Sequence, residues 1–342
     1  MAIKILVFDY RESERNFFGS NKFEQFDITF YNESLNDDFI KNIPREQLEN
    51  TYAISVFIDS DVTKNVINAF KNLRIISTRS TGVDHIDLKA AAAKNIAVIN
   101  VEGYGSKAVA QFTIGLMISL VRRIVPASKY ITQNEHGSCS NFLGRDIANL
   151  TLGVVGTGSI GAAVCKLGCA FGMNVMAYDL TEKKELISNY DIKYVDLNTL
   201  LKNSDIVSLH IPYTGNNFHM FSEGQFDMMK NSAYIINTSR GEILDTFALY
   251  KALTGHKLAG AALDVVICEQ ISFRCSQFSK QLNKDIICLE EAKIVKELAG
   301  MDNVIITPHI AYETQDAIDY ILEVSFKGIL DCIKGGNEYR TY

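Results

Sequence analysis

The run TLGVVGTGSIG at 151–161 sets Gly156, Gly158 and Gly161 at the spacing of a turn that brings backbone against a pyrophosphate. Gly156 permits the tight turn, Gly158 has no Cβ to keep the phosphates away, and Gly161 lets the following helix pack closely. Ser159 and Ile160 open that helix, whose free N–H groups and partial positive charge suit an anion. Asp179 ends the next strand, about 20 residues beyond the turn, where a carboxylate accepts hydrogen bonds from ribose hydroxyls. It would repel a 2′-phosphate, so the pattern favours NAD, with Lys183 and Lys184 keeping NADP as the second reading.

Three more polar groups stand where apolar runs end. Arg240 lies in NTSRG after the run AYII, Glu269 lies a few residues after Asp264, and His309 follows Thr307-Pro308. Planar Arg binds a carboxylate through two parallel hydrogen bonds. Imidazole can donate and accept a proton near neutral pH. A carboxylate beside it would fix its tautomer and favour the imidazolium. The set suits hydride chemistry on a hydroxy or keto acid, although each residue alone reads equally as a surface charge or a loop cap.

The elements must bring these groups together. Strands are expected at 3–9, 53–58, 74–77, 97–100, 151–155, 174–178, 206–210, 233–237, 260–264 and 303–307. Helical patterns are expected at 62–71, 88–94, 159–171, 199–203 and 246–254. Such alternation means βαβ units and parallel sheets, and runs as apolar as LGVVG suit sheets covered on both faces. In open sheets of this kind, ligands bind beyond the carboxyl ends of strands, which is where Arg240, Glu269 and His309 fall. The glycine turn starts only at residue 156, so a separate domain is expected before it. Residues 268–293 are polar and poorly periodic and read as an irregular insertion.

A chain of 342 residues fits two domains, and 47% hydrophobic with 22% charged residues fits a globular protein. Against 34 Lys+Arg stand 40 Asp+Glu, a net charge of −6, which argues against nucleic acid or an anionic membrane as partner. The longest apolar run, 108–121, falls short of the ~20 residues a bilayer span needs. The opening MAIKILVFDY reads as a strand and not as a signal peptide. There are seven Cys and no CxxC; Cys165 and Cys169 lie one helical turn apart but no His joins them, so no metal is expected. Reduced thiols and a cytoplasmic location are expected.

With these segments in view, the chain resembles the D-isomer-specific 2-hydroxyacid dehydrogenases, in their D-lactate dehydrogenase-like branch. The motifs that carry the resemblance are RSTGVDHID (79–87), NVEGYGSKAVAQ (100–111), VVGTGSIG (154–161), DIVSLHIP (205–212), INTSRGEILDT (236–246), AGAALDV (259–265) and NVIITPHIAYET (303–314). The resemblance implies two Rossmann-like or flavodoxin-like doubly wound α/β domains with the active site in the cleft between them. The substrate domain would be 1–101 plus 309–342, and the NAD-binding domain 102–308. The apolar helix after Tyr104 resembles the family's dimer-forming helix, with a plain core helix as the other reading, so a homodimer is expected.

Carried over residue by residue, Arg240 matches the substrate-carboxylate Arg, His309 the acid/base His, and Glu269 its partner. The family pattern D-V-x-E-G-E here reads Asp264-Val265-Val266-Ile267-Cys268-Glu269, so Ile267 and Cys268 replace Glu and Gly, and a one-residue slip would bring Gln270 to the site. Ser159, Ile160, Asp179, Ile211, Pro212, Asn217, Thr238, Ser239, Arg240 and Asp264 match cofactor contacts. Gly82, Val83, Tyr104 and Tyr312, with Arg240, match substrate contacts. Gln111 stands where relatives usually carry Glu, and His210 would shape the pocket. The implied activity is NADH-dependent reduction of a small 2-oxo acid, pyruvate first, to the D-2-hydroxy acid. The alternatives are a corepressor-like NAD(H) sensor, or a member oxidising a bulkier hydroxy acid, formate or phosphite.

Overall fold

The computed structural model describes residues 2–19, 23, 25–101, 103, 105–132, 142–269, 272 and 286–341. They form two compact units, Met1–Gly105 with Glu313–Tyr342, and Ser106–Tyr312. Each junction lies four residues beyond the boundary expected from the sequence, 106 against 102 and 313 against 309.

The first unit is built on a wholly parallel five-stranded sheet in the order β2-β1-β3-β4-β5. Its strands are β1 (Ile3–Val7), β2 (Phe26–Phe30), β3 (Ala53–Val56), β4 (Ile75–Thr78) and β5 (Ala97–Ile99). Every residue of β3, β4 and β5 is buried, which explains their largely apolar runs. β2 was not expected. It is an edge strand, and in its FDITF only Phe26 is buried while the other four residues are partly or fully exposed. The helix Gln315–Ile333 returns from the far end of the chain to cover β4 and β5, and Ser325 Oγ meets Ser77 Oγ at 2.7 Å. Thr314 starts it by accepting the N–H of Ala317.

This sheet reverses direction between β1 and β3, and the loops there are braced by Arg79, which is 1% exposed. Its Nη2 donates to the carbonyls of Phe8 at 2.6 Å and Asp9 at 3.1 Å, and its Nε lies 3.4 Å from Glu14. Burial pushes the Glu14 carboxyl above its ordinary range, opposed by the Arg79 charge. Asp9 accepts from Phe57 N and Ser60 Oγ and so fixes the loop 57–60. In the loop after β4, Ser80 Oγ donates to the carbonyl of Gly82, and Val83 O closes a turn with the N–H of Ile86.

The second unit carries a parallel seven-stranded sheet in the order β12-β11-β10-β9-β6-β7-β8. The strands are β6 (Thr151–Val155), β7 (Asn174–Tyr178), β8 (Lys193–Tyr194), β9 (Ile206–Leu209), β10 (Tyr234–Asn237), β11 (Gly260–Leu263) and β12 (Val304–Ile306). The two-residue edge strand β8 escaped the sequence pattern for the same reason as β2. One core layer packs under β6 and β7 with the helix Ser106–Val121, whose Val109, Ala110, Ile114, Met117 and Leu120 are buried. A second layer holds Leu200, Phe221, Phe226, Leu249 and Leu298. Among the described residues no single helix is long and apolar enough to cross a membrane.

Two expectations need correction. The segment 268–293 is not irregular throughout: Ile286–Ala299 is a helix that buries Glu291, Val295 and Leu298. Periodicity was hidden because 18 of the segment's 26 residues precede that helix; residues 270, 271 and 273–285 are outside the described residues. The thiols are also not all reduced, because Cys268 and Cys288 are joined as a disulfide with Cα atoms 5.6 Å apart. Cys165, Cys169 and Cys332 are thiols, and burial pushes Cys165 up to about 12. Cys139 and Cys275 lie outside the described residues.

Candidate active site

The seven-stranded sheet changes winding direction where β6 pairs with both β9 and β7, so the crevice for a ligand opens at the carboxyl ends of β6 and β9. The glycine turn leaves β6 there. Gly156 has φ 89, and a Cβ on it would meet the His210 carbonyl at 2.6 Å. On Gly161 a Cβ would come within 1.9 Å of the Gly156 carbonyl, whereas on Gly158 it would meet nothing within 4 Å. So Gly156 and Gly161 are required by the fold itself. Gly158, capping the helix Ser159–Ala170, keeps a space open in front of that helix. An open, glycine-lined helix N-terminus fits a pyrophosphate.

Asp179 follows β7 and folds back on the turn. Its Oδ2 accepts from Thr157 N at 2.5 Å and Thr157 Oγ1 at 3.0 Å, and its Oδ1 accepts from Thr181 N at 3.1 Å. Burial alone would raise its carboxyl, but these donors outweigh burial and hold it below the usual range. Lys183, behind the NADP reading, donates Nζ to the carbonyl of Gly158. After β9, Asn217 closes the loop that starts at Ile211 and Pro212: its Oδ1 accepts from Thr214 N and its Nδ2 donates to the carbonyl of Pro212. His210 Nε2 meets Ser208 Oγ at 2.8 Å, and burial lowers the ring to about 3, so it is neutral and moves no proton near pH 7.

Three loops then meet beyond β10, β11 and β12. Asn237 ends β10 and accepts from Ser239 N and Ser239 Oγ, while its Nδ2 donates to the carbonyl of Arg240. Thr238 Oγ1 ties the same loop to Thr113 of the helix Ser106–Val121 at 2.9 Å. Arg240 Nη1 donates to the carbonyl of Ser239. A Cβ on Gly241 would lie 2.2 Å from the Val266 carbonyl carbon, so glycine is what lets the Arg240 loop press on the loop carrying Glu269.

Asp264 makes the second junction. It is 1% exposed, and its carboxylate accepts from Thr307 Oγ1 at 2.5 Å, Ile310 N at 3.0 Å and Ala311 N at 2.8 Å. Its carbonyl accepts from His309 N at 2.9 Å. These bonds hold His309 at φ 55, a left-handed conformation that a residue with a Cβ keeps only when its surroundings insist. The result is His309 Nδ1 at 2.7 Å from Glu269 Oε2, with the Tyr312 ring set edge-on to the imidazole. Glu269 reaches the histidine, while Gln270 lies outside the described residues. Cys268, at the position of the pattern's Gly, has φ 53, which is why glycine suits that place.

Arg240, Glu269, His309 and Tyr312 thus belong to one unit, along with the glycine turn and Asp179. Gly82 and Val83 lie in the other unit, and Tyr104 is outside the described residues. The sequence singled out Asp264 only as a cofactor contact; its bonds to the His309 loop had no sequence signal beyond its place at a strand end. Among the described residues no group of His, Cys, Asp and Glu could hold a metal ion.

Known proteins are similar in sequence and in fold. The family model for the D-isomer specific 2-hydroxyacid dehydrogenase, NAD binding domain, matches residues 114–311. A glyoxylate reductase of Thermofilum pendens is 35% identical over 289 residues, 83% of this chain and 78% of that protein. A D-specific alpha-keto acid dehydrogenase of Enterococcus faecium is 35% identical over 305 residues, 89% and 88% of the two chains. A D-lactate dehydrogenase from Aquifex aeolicus, solved with NAD and lactic acid, is 34% identical with a TM-score of 0.84, covering 98% of this chain and 97% of its own. Likeness of this extent settles the family: the chain belongs to the D-isomer specific 2-hydroxyacid dehydrogenases, NAD-dependent oxidoreductases acting on CH–OH groups.

Proposed function

We propose that the protein reduces a small 2-oxo acid, pyruvate first, to the D-2-hydroxy acid. The observation that carries the reading is the 2.7 Å hydrogen bond between His309 and Glu269, on a loop pressed against that of Arg240. Bound NADH supplies the hydride. The Gly158 space and the helix N-terminus at Ser159 would hold its phosphates, and Asp179 would accept from its ribose hydroxyls.

Glu269 occupies Nδ1 of His309, which leaves Nε2 as the atom that passes a proton to the substrate's carbonyl oxygen. A carboxylate on Nδ1 fixes the tautomer and the orientation of the ring. Arg240 spends Nη1 on the carbonyl of Ser239, so Nε and Nη2 are the pair that grips the substrate carboxylate side by side. Tyr312 walls the imidazole and helps to exclude water.

The test is loss of NADH absorbance with a panel of 2-oxo acids including pyruvate and glyoxylate, followed by NAD⁺ reduction with D-lactate and with L-lactate. Turnover of a small 2-oxo acid, with oxidation of the D-isomer alone, is expected. An enzyme inert to every 2-oxo acid, or active on L-lactate, overturns the reading. The reading takes the protein as a cytoplasmic homodimer, which sedimentation velocity and cell fractionation check.

A further inference from the structure

We propose that Cys268 and Cys288 are positioning residues: their disulfide holds Glu269 on His309, so that reducing the bond loosens the acid–base pair and lowers turnover. The inference rests on the function proposed above for His309. Cys268 directly precedes Glu269 in the chain. Its partner Cys288 sits in the helix Ile286–Ala299, which is anchored in the core by Val295, 4% exposed, and Leu298, 0% exposed. The bond therefore ties the Glu269 loop to a fixed body.

The loop needs such a tie. Cys268 holds φ 53, where a Cβ is crowded and a residue other than glycine stays only under constraint. The carboxylate of Glu269 has weak local support: apart from His309, its partner among the described residues is Val266 N at 3.4 Å, a long bond. Ser272 braces the backbone of the same loop, with its N–H donating to the carbonyl of Cys268 at 3.0 Å. None of these bonds fixes the direction of the Glu269 side chain as a covalent link one residue away does.

Both cysteines are half-buried, so a small thiol can reach them. The reductant is a monothiol of the glutathione class. Its thiolate attacks one sulfur, the protein S–S bond breaks, and the other cysteine leaves as thiolate. A second monothiol attacks the mixed disulfide and releases the oxidised small-molecule disulfide. Two electrons pass to the protein pair, and the two protons of the monothiols end on Cys268 and Cys288. The reverse exchange with the oxidised small disulfide restores the bond.

The experiment compares the full-length protein equilibrated with oxidised glutathione and with excess reduced glutathione. Non-reducing peptide mapping should find the 268–288 link in the first state and not in the second. Turnover of the best 2-oxo acid should fall about 5- to 50-fold on reduction, with NADH affinity unchanged and a changed pH profile, and return on reoxidation. Cys288→Ser should match the reduced wild type. Cys268→Gly, free to adopt positive φ, should lose less. Glu269→Gln should be slow and indifferent to redox state. The ¹⁵N shifts of the His309 ring, read without substrate, should move on reduction in the wild type and stay put in Glu269→Gln.

Equal turnover and equal His309 shifts in the two states overturn the inference, as does failure to form the link. A protein inert to every 2-oxo acid whose His309 shifts still respond to redox state would sink the proposed function and leave this inference standing.

Discussion

His309 Nδ1 and Glu269 Oε2 lie 2.7 Å apart, although 40 residues separate them in the chain. Asp264 begins the loop that carries Glu269 and at the same time holds the loop that carries His309, through Thr307, Ile310 and Ala311. The His309–Glu269 pair is thus set by one buried carboxylate from which both loops are measured.

Replacing the imidazole removes the proposed proton donor. His309→Ala should lower kcat by ~10²–10⁴, the range for a positioned acid. NADH affinity, read by fluorescence titration, should stay within twofold. Unchanged kcat would remove His309 from the reaction.

Asp264→Asn tests the brace. One amide face would set a donor against the N–H groups or hydroxyl that the carboxylate accepts, and an unsatisfied buried group costs ~1–3 kcal/mol. The variant should melt lower than wild type and lose kcat at least tenfold, because His309 is no longer held at φ 55. Thr307→Val removes only one of the three donors and should do less harm. Equal effects from the two substitutions would show that the network is not centred on Asp264.

Much of this arrangement was legible in the sequence. Glycine spacing, acid placement and strand-end polar residues are local patterns, so the glycine turn with Asp179 could be read from them; they put Arg240, Glu269 and His309 forward only as candidates, whose roles came from the family resemblance. Edge strands β2 and β8 could not, since half-exposed or two-residue strands leave no apolar run. Nor could contacts between distant segments: Gly241 against Val266, Arg79 under β1 and β3, and Cys268 with Cys288 depend on topology, which spacing does not encode.

The three glycines of the turn should separate by their surroundings. Gly158→Ala places its methyl in open space, so the melting temperature should stay near that of wild type while NADH binding weakens at least tenfold. Gly161→Ala drives its methyl to 1.9 Å from the Gly156 carbonyl and should destabilise the second unit by ~1–3 kcal/mol or more, as overpacking does. A Gly158→Ala protein that binds NADH normally would move the phosphates elsewhere.

Arg240→Lys keeps the charge and loses the planar fork. The expected outcome is a rise in KM for the 2-oxo acid of ten- to a hundredfold with NADH affinity unchanged, measured by steady-state kinetics and titration. Equal weakening of both ligands would place Arg240 on the cofactor instead.

Protonation of His210 links stability to pH. Burial lowers its ring from 6.5 to about 3, so between those values the unfolded chain binds a proton that the folded chain refuses. Its contribution is fully present above about pH 6.5 and is lost progressively as pH falls toward 3. At pH 4.5 the loss should be on the order of a few kcal/mol. His85, also lowered by burial, acts with the same sign, so removing His210 should reduce the slope without abolishing it. His210→Gln keeps a polar group beside Ser208 and does not titrate. Urea unfolding at pH 7 and pH 4.5 should therefore give a smaller stability difference for His210→Gln than for wild type. An identical difference in the two proteins would mean that the folded ring takes up its proton as readily as the unfolded one, and the lowering by burial argued for His210 would fail.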